Sequence, residues 1–357
     1  MNNQLNIDEY IKIELAENGD VLSVSNDMEG FLPSDKGSIW RDKKVKNQLL
    51  AKSYRRIKDK KKHRFKISSI AINRIQDCAG VLAFKVSPEK RVLHQAFFCK
   101  NRFCPICAWR ASLKLSNDNR IILNNYLQEA NSRLVFLTLT IKNCEAKDLR
   151  ATIARLNYGW KKIRNRNMYK NNFYGDIKSV EITVNKENLT FHPHLHLILA
   201  AKESYFLKSN PYYITTESWA SVWAEAIGEY RSIVDVRAVK KDNVEKANLE
   251  ISKYIVKDSD YLKFHEVGDK VILDEELTDF ILFNLVNQTK NLRFISYSGT
   301  FKQLKKELKI KDLEQYTDDD LINEDVDLPT SDRLIVMYRW SYGFAKYLFY
   351  DYYLENS

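Results

Sequence analysis

The sequence predicts an α+β fold built around a largely antiparallel sheet, and two observations carry that reading. Residues 177–184 (IKSVEITV) and 191–200 (FHPHLHLILA) alternate as strands on either side of the turn-forming NKENL, which makes them an antiparallel hairpin. Helical periodicity recurs between the strands, in an order that suggests α+β rather than a single-class fold. Residues 43–62 read as a basic helix, 78–107 as a short-stranded, turn-rich segment, and 108–130 as a helix with apolar positions at helical spacing. LVFLTLTI (134–141) is a buried strand, rich in β-branched and aromatic residues. Leu149, Ile153, Leu156, Trp160 and Ile163 then fall on one helix face. Further helices are expected at 215–227 (capped by Thr216 or Ser218), 242–257, 274–287 and 301–308, with a strand at 232–239. The region beyond 310, with the aromatic tail YRWSYGFAKYLFYDYY, carries no readable motif; a sheet edge, or contact with a partner protein or a second protomer, is its expected role. Four segments follow: 1–70, an acidic lead and basic helix; 71–115, a cysteine-rich element; 116–270, the principal domain; and 271–357, an extension of that domain with no legible role.

A chain of 357 residues, 44% hydrophobic, buries a sizeable core. No apolar run is long enough to span a bilayer and the polar N-terminus lacks a signal-peptide core, so a cytoplasmic chain with no membrane partner is expected. The net charge of +10 favours polyanions, since each Lys or Arg meeting a phosphate releases a counterion. Within the basic run, Lys43, Lys44, Arg55, Arg56, Lys60, Lys61 and Lys62 are candidates for DNA backbone contact, and Tyr169, Phe173 and Tyr174 for base stacking.

Side chains at alternate strand positions share a face, so His192, His194 and His196 line one side of the sheet while Leu195 and Leu197 face the core behind. The neighbouring strand contributes Glu181 and Thr183. A carboxylate beside imidazoles gives mixed N/O ligation that suits Mg²⁺ or Mn²⁺ and leaves positions open for phosphate oxygens. In NLEISKYIVKDSDY, a helix makes Glu250 and Tyr254 i, i+4 neighbours with Lys257 one turn on, and Tyr261 shares the face as a rival nucleophile. A phenol between a carboxylate and an ammonium suits attack on phosphate: the cation favours phenolate and the carboxylate activates a later nucleophile.

Five cysteines in a chain expected to be cytoplasmic argue against a disulfide framework. Cys99, Cys104 and Cys107 have the spacing of a thiolate knuckle for structural Zn²⁺, with Cys78 in the turn-like DCAG, or alternatively His94, as fourth ligand. Cys144 is left over as a buried thiol.

The ordered set FCKNRFCPICAWR, FLTLT, HPHLH and EISKYIVKD resembles the rolling-circle plasmid replication initiators of the Rep class 1 family, within the HUH endonuclease superfamily, over roughly residues 36–310. That resemblance implies an HUH-type antiparallel sheet flanked by helices, with His194, His196 and Glu181 holding Mn²⁺ or Mg²⁺ and His192 as a further candidate ligand. It implies Tyr254 as the nucleophile of a Tyr-x-x-Lys helix with Lys257, and Glu250 as the group that assists termination. Asp258 stands where a second tyrosine would serve a two-tyrosine shuttle. The implied activity is an origin-specific single-strand nickase and strand transferase that forms a 5′-phosphotyrosine link and frees a 3′-OH primer. Its partners would be plasmid double-strand origin DNA, a host helicase and polymerase, and further copies of the chain, with the region beyond 310 expected to contact the helicase or a second protomer. The residues also allow a zinc-stabilised origin-binding repressor without cleavage, or an HUH relaxase or transposase.

Overall fold

The computed structural model describes residues 3–6, 11–15, 21–26, 34–61, 64–86, 91–128, 132–185, 187–253, 256–267, 270–322 and 334–354, with residues up to 38 and residues 241, 267 and 270 as backbone alone. Tyr254 and Lys62 lie outside the described residues. In chain order the elements begin with β1 (Asn3–Asn6), β2 (Ile11–Leu15), β3 (Val21–Asn26), α1 (Ser34–Lys60), α2 (Ser69–Asp77), β4 (Val81–Val86), β5 (Arg91–Ala96) and α3 (Pro105–Gln128). They continue with β6 (Arg133–Thr140), α4 (Leu149–Asn165), α5 (Asn167–Asn172), β7 (Phe173–Val184), β8 (Phe191–Ala201), α6 (Thr216–Ile227), β9 (Val234–Val239), α7 (Val244–Ser252) and α8 (Asp258–Tyr261). Last come β10 (Phe264–Val267), β11 (Lys270–Leu273), α9 (Glu275–Thr289), β12 (Ile295–Tyr297), α10 (Gly299–Glu307), α11 (Asp318–Ile322), β13 (Leu334–Ser341) and β14 (Lys346–Leu354). The mixture of helices with antiparallel sheets is the α+β architecture expected.

The chain divides into two compact units, one of residues 1–60, 67–114 and 316–357, the other of 61–66 and 115–315. The first contains a β1-β2-β3 meander and a four-stranded antiparallel sheet in the order β14-β13-β4-β5. The aromatic tail therefore forms β13 and β14, and β13 pairs with β4 in the register Met337↔Ala83. Of the segment 271–357, expected to extend the principal domain, residues 271–315 fall in the second unit and 316–357 in the first. Pairing across some 250 positions leaves no local trace in a sequence. Trp40 of α1 meets Phe84 and Trp109 edge-on, and Arg110 of α3 donates to the carbonyls of Leu321 (2.7 Å) and Ile322 (3.0 Å), fixing α11.

The second unit is organised by a five-stranded antiparallel sheet, order β12-β7-β8-β6-β9. The expected hairpin is its centre, β7 against β8 with Glu181 opposite His194 and Thr183 opposite His192. On β8 the odd positions Leu195, Leu197 and Leu199 are fully buried. The even positions change character along the strand. Ile198 and Ala200 join Leu123, Tyr126, Phe136 and Ile251 in an apolar core beneath α3 and α7, and the same face then turns polar at His196, His194 and His192. The sheet thus delivers the histidines where its apolar cover ends.

Two helix expectations are corrected. The segment 242–257 is not one helix: α7 ends at Ser252 with Lys253 extended (φ −56°, ψ 141°), and Lys257 caps the separate α8. Three residues past Ser252, the β-branched pair Ile255-Val256 lowers helix propensity. The cap of α6 is Thr215, whose hydroxyl accepts from the Ser218 amide (3.2 Å), rather than Thr216 or Ser218.

Candidate metal centres and nucleic-acid site

In the second unit, Glu181 of β7 and His194 and His196 of β8 bring three ligand atoms together. One carboxylate oxygen, Oε2, lies 2.9 Å from His196 Nε2 and 3.2 Å from His194 Nε2. The antiparallel register causes this, since positions opposite one another across the ladder share a face at close range. Burial alone would raise the Glu181 carboxyl, but hydrogen bonds and charge from the two imidazoles outweigh it and hold the group well below the usual carboxylate range. Two converging imidazole nitrogens and an ionised carboxylate are a fitting donor set for a divalent cation.

The imidazoles are oriented from behind. Thr138 Oγ1 of β6 stands 3.2 Å from His196 Nδ1, and the His192 backbone carbonyl 3.3 Å from His194 Nδ1. Partners at Nδ1 fix the ring and leave Nε2 for a cation. Thr138 was missed among the individual site residues, because only the cross-strand register Thr138↔His196 gives it a role. The His192 ring does not join the three-donor cluster. It lies 5.4 Å from the His194 ring, and burial, then the His194 charge, lower its pKa.

Lys257 Nζ lies 3.8 Å from Glu181 Oε1, so the structure brings this lysine to the donor cluster. Glu250 accepts from Lys253 Nζ (2.5 Å) and shares a cavity wall with His196. Asp260 of α8, which the sequence did not single out, sits in the field of Glu181; burial, opposed by Lys263 and Lys257, raises its carboxyl. Tyr261 is fully buried, which removes it as an accessible nucleophile.

The four cysteines gather in the first unit, with Sγ···Sγ distances of 3.5 Å (Cys78–Cys107), 3.6 Å (Cys99–Cys107) and 3.7 Å (Cys78–Cys104). Four sulfurs about 2.3 Å from a tetrahedral zinc lie about 3.8 Å apart, so the thiolates fit that ion. Cys78, and not His94, stands with the other three. Burial raises the Cys78 and Cys107 thiols, whereas hydrogen bonds from its neighbours outweigh burial at Cys104 and hold it well below the usual thiol range. Asn47 Nδ2 donates to Cys104 Sγ (3.2 Å), and Lys44 Nζ donates to the carbonyls of Cys78 (2.5 Å) and Gln76 (2.8 Å). Lys44 is fully buried, which overturns its assignment to DNA contact: it offsets thiolate charge instead. Cys144 is half-buried, its Sγ 3.4 Å from the Phe191 carbonyl.

Of the other basic candidates, Lys43 is half-buried and Lys60 exposed. Arg55 bonds Gln76 and Asn73, Arg56 donates to Ser53 Oγ (2.9 Å), and Lys61 lies over the Phe283 ring. Tyr169 and Phe173 are buried core aromatics, Tyr169 donating to Asp176 (2.9 Å), so neither is open to base stacking. Tyr174 is exposed beneath Lys202.

The second unit of this basic chain thus carries a two-histidine, one-carboxylate group that could hold a divalent cation, with a lysine beside it. Comparison with known proteins places the chain within a family. Residues 90–348 match the replication protein (Rep_1) family, and the chain belongs to that family. It is 34% identical over 342 residues to "Protein rep" of Bacillus amyloliquefaciens, covering 90% of this chain and 96% of that one. It is 31% identical over 317 residues to "Protein rep" of Streptococcus pneumoniae serotype 2, covering 86% and 91%. A "Protein rep" of Bacillus sp is 36% identical over 264 residues, covering 69% and 82%. No solved structure matches significantly. No helix among the described residues is long and apolar enough to cross a membrane.

Proposed function

We propose that this chain initiates rolling-circle replication of a plasmid as an origin-specific, metal-dependent DNA nickase and strand transferase of the HUH type, acting in the cytoplasm. The observation that carries the reading is the convergence of Glu181, His194 and His196 on one sheet face with Lys257 3.8 Å from the carboxylate, in a chain of the replication protein family. A Mn²⁺ or Mg²⁺ ion held by those three residues would polarise the scissile phosphate. Tyr254 Oη attacks phosphorus in line. The P–Oη bond forms as the P–O3′ bond breaks, leaving a 5′-phosphotyrosine and a free 3′-OH for a host polymerase, with a helicase opening the duplex. Lys257 favours loss of the phenol proton and offsets the charge that develops on phosphate. At termination Glu250 takes a proton from the water that cuts the regenerated site. Cys78, Cys99, Cys104 and Cys107 hold a structural Zn²⁺, and further copies of the chain assemble at the origin.

The test is incubation of the chain with Mn²⁺ and single-stranded origin oligonucleotide. Nicking and a covalent adduct mapped to Tyr254 by mass spectrometry are expected, and both vanish in Tyr254→Phe. Full nicking by that variant refutes the nucleophile assignment. DNA binding without metal-dependent cleavage by the native chain would instead favour an origin-binding repressor.

A further inference from the structure

Beside the donor cluster lies a cavity of about 300 Å³, a volume at the small end of the small-molecule range. Phe136 and Thr138 of β6 and His196 of β8 form one side; Arg237 of β9 and Asn243, Lys246 and Glu250 of the α7 segment close it. The register explains why these groups meet. Phe136 stands opposite Arg237 and Thr138 opposite Asp235 across the β6–β9 pair, and Thr138 stands opposite His196 across β6–β8. One sheet face therefore runs from the donor cluster to the edge strand, and α7 covers it through Ala247 and Ile251.

His196 belongs to both places. Its Nε2 faces Glu181, and its ring stacks on Phe136 with centroids 5.8 Å apart and planes 29° from parallel. A phosphate held at the donor cluster would put its attached nucleoside one sugar away, against this aromatic wall. The rest of the lining suits such a guest. Arg237 and Lys246 are exposed cations at the rim. Arg237 shares its charge with Asp235 (Nε to Oδ2 2.7 Å), and the Glu250 carboxylate is engaged by Lys253, so neither acid faces the cavity uncompensated. Asn243 ends the 3₁₀ turn Lys241–Asn243 that leads into α7 (φ −106°, ψ 2°), and its exposed side chain makes no capping bond. That amide, with a donor and an acceptor, is left for the edge of a base.

We propose that this cavity seats the nucleobase adjoining the scissile phosphate, with Phe136 as its apolar wall, Asn243 reading its edge and Lys246 and Arg237 holding the flanking phosphate. The inference rests on the nickase reading and deepens it, naming the residues that choose the nucleotide at the cut. A flipped base gains both apolar contact and edge recognition in such a pocket.

The experiment pairs the full chain, loaded with Zn²⁺ and Mn²⁺, with single-stranded origin oligonucleotides made abasic in turn at each of the nucleotides around the cut. Binding is read by fluorescence anisotropy and nicking by gel. One adjoining position should show a loss of about tenfold or more on removal of its base, through the lost apolar contact and edge hydrogen bonds. In Asn243→Ala that loss should shrink to less than about threefold, because the base and the residue act on one another and their deletions do not add, whereas Lys246→Ala, at the phosphate, should weaken binding of native and abasic oligonucleotides alike. Both side chains are exposed, and Lys246→Arg should restore the native pattern. If the native chain nicks but no adjoining position shows the abasic loss, or Asn243→Ala keeps that loss in full, the pocket assignment is overturned. If the native chain does not nick yet the coupling appears in binding, the nickase reading fails and the pocket stands. Absence of both overturns the two together.

Discussion

Thr138→Val is the sharpest probe of how the donor cluster is held. The substitution keeps the shape of the side chain and removes only the hydroxyl that stands 3.2 Å from His196 Nδ1. Without a cation, His196 can carry its proton on Nε2 and donate it to Glu181 at 2.9 Å, and Nδ1 then accepts from the Thr138 hydroxyl. With a cation, Nε2 gives up its lone pair, the proton sits on Nδ1, and Thr138 Oγ1 accepts it. Valine leaves a bare Nδ1 lone pair in the ion-free state and an ion-polarised Nδ1–H in the loaded one; the second, a charge-assisted bond, is costlier to leave unmade, so a net penalty of about 1–3 kcal/mol falls on the loaded state. At 1.4 kcal/mol per decade this weakens cation binding about tenfold to hundredfold, the range typical of partners behind a metal ligand. Calorimetric titration of Mn²⁺ into the zinc-replete chain reads the effect directly, without relying on nicking. Thr138→Ser keeps the oxygen and should stay within about threefold of the native Kd. A Thr138→Val chain that binds Mn²⁺ within twofold of native, while His196→Ala loses binding, would refute the reasoning.

Other outcomes follow from the same structure. Cys104→Ser should lose one tightly held zinc per chain by atomic absorption and more than about 3 kcal/mol of stability by denaturant titration, since a structural zinc contributes folding energy outright. Lys178, half-buried beside Asn157, has its pKa lowered by desolvation to about 8, which means that the unfolded chain binds the proton more tightly. Lys178→Met should therefore raise stability by up to about 3 kcal/mol at pH 7, and this gain should shrink as the pH rises from 8 through the ordinary lysine range. A gain constant with pH by calorimetry would contradict that account. Gly299 has φ +54°, and a Cβ there would overlap the Tyr174 carbonyl oxygen where β7 passes the start of α10. Gly299→Ala should lower the melting temperature by several degrees, against no change for an alanine at the open Gly343.

Period-2 and helical-period patterns are set by neighbours in the chain, so the sequence alone determined the hairpin, most helices and the shared face of the three histidines. The cysteine spacing likewise announced a thiolate centre, because knuckle geometry is local. Long-range pairing decided the rest. Only the register of β7, β8 and β6 shows that Glu181 meets both Nε2 atoms, that Thr138 backs His196, and that His192 serves through its carbonyl. Only packing reveals that Lys44, one cation in a run of many, is buried against the cysteines, and that Tyr169, Phe173 and Tyr261 are core. The tail was illegible because β13 finds its partner β4 across most of the chain. A residue's type and spacing state which chemistry it can perform; what it faces depends on residues far away in sequence, whose positions only the folded chain fixes.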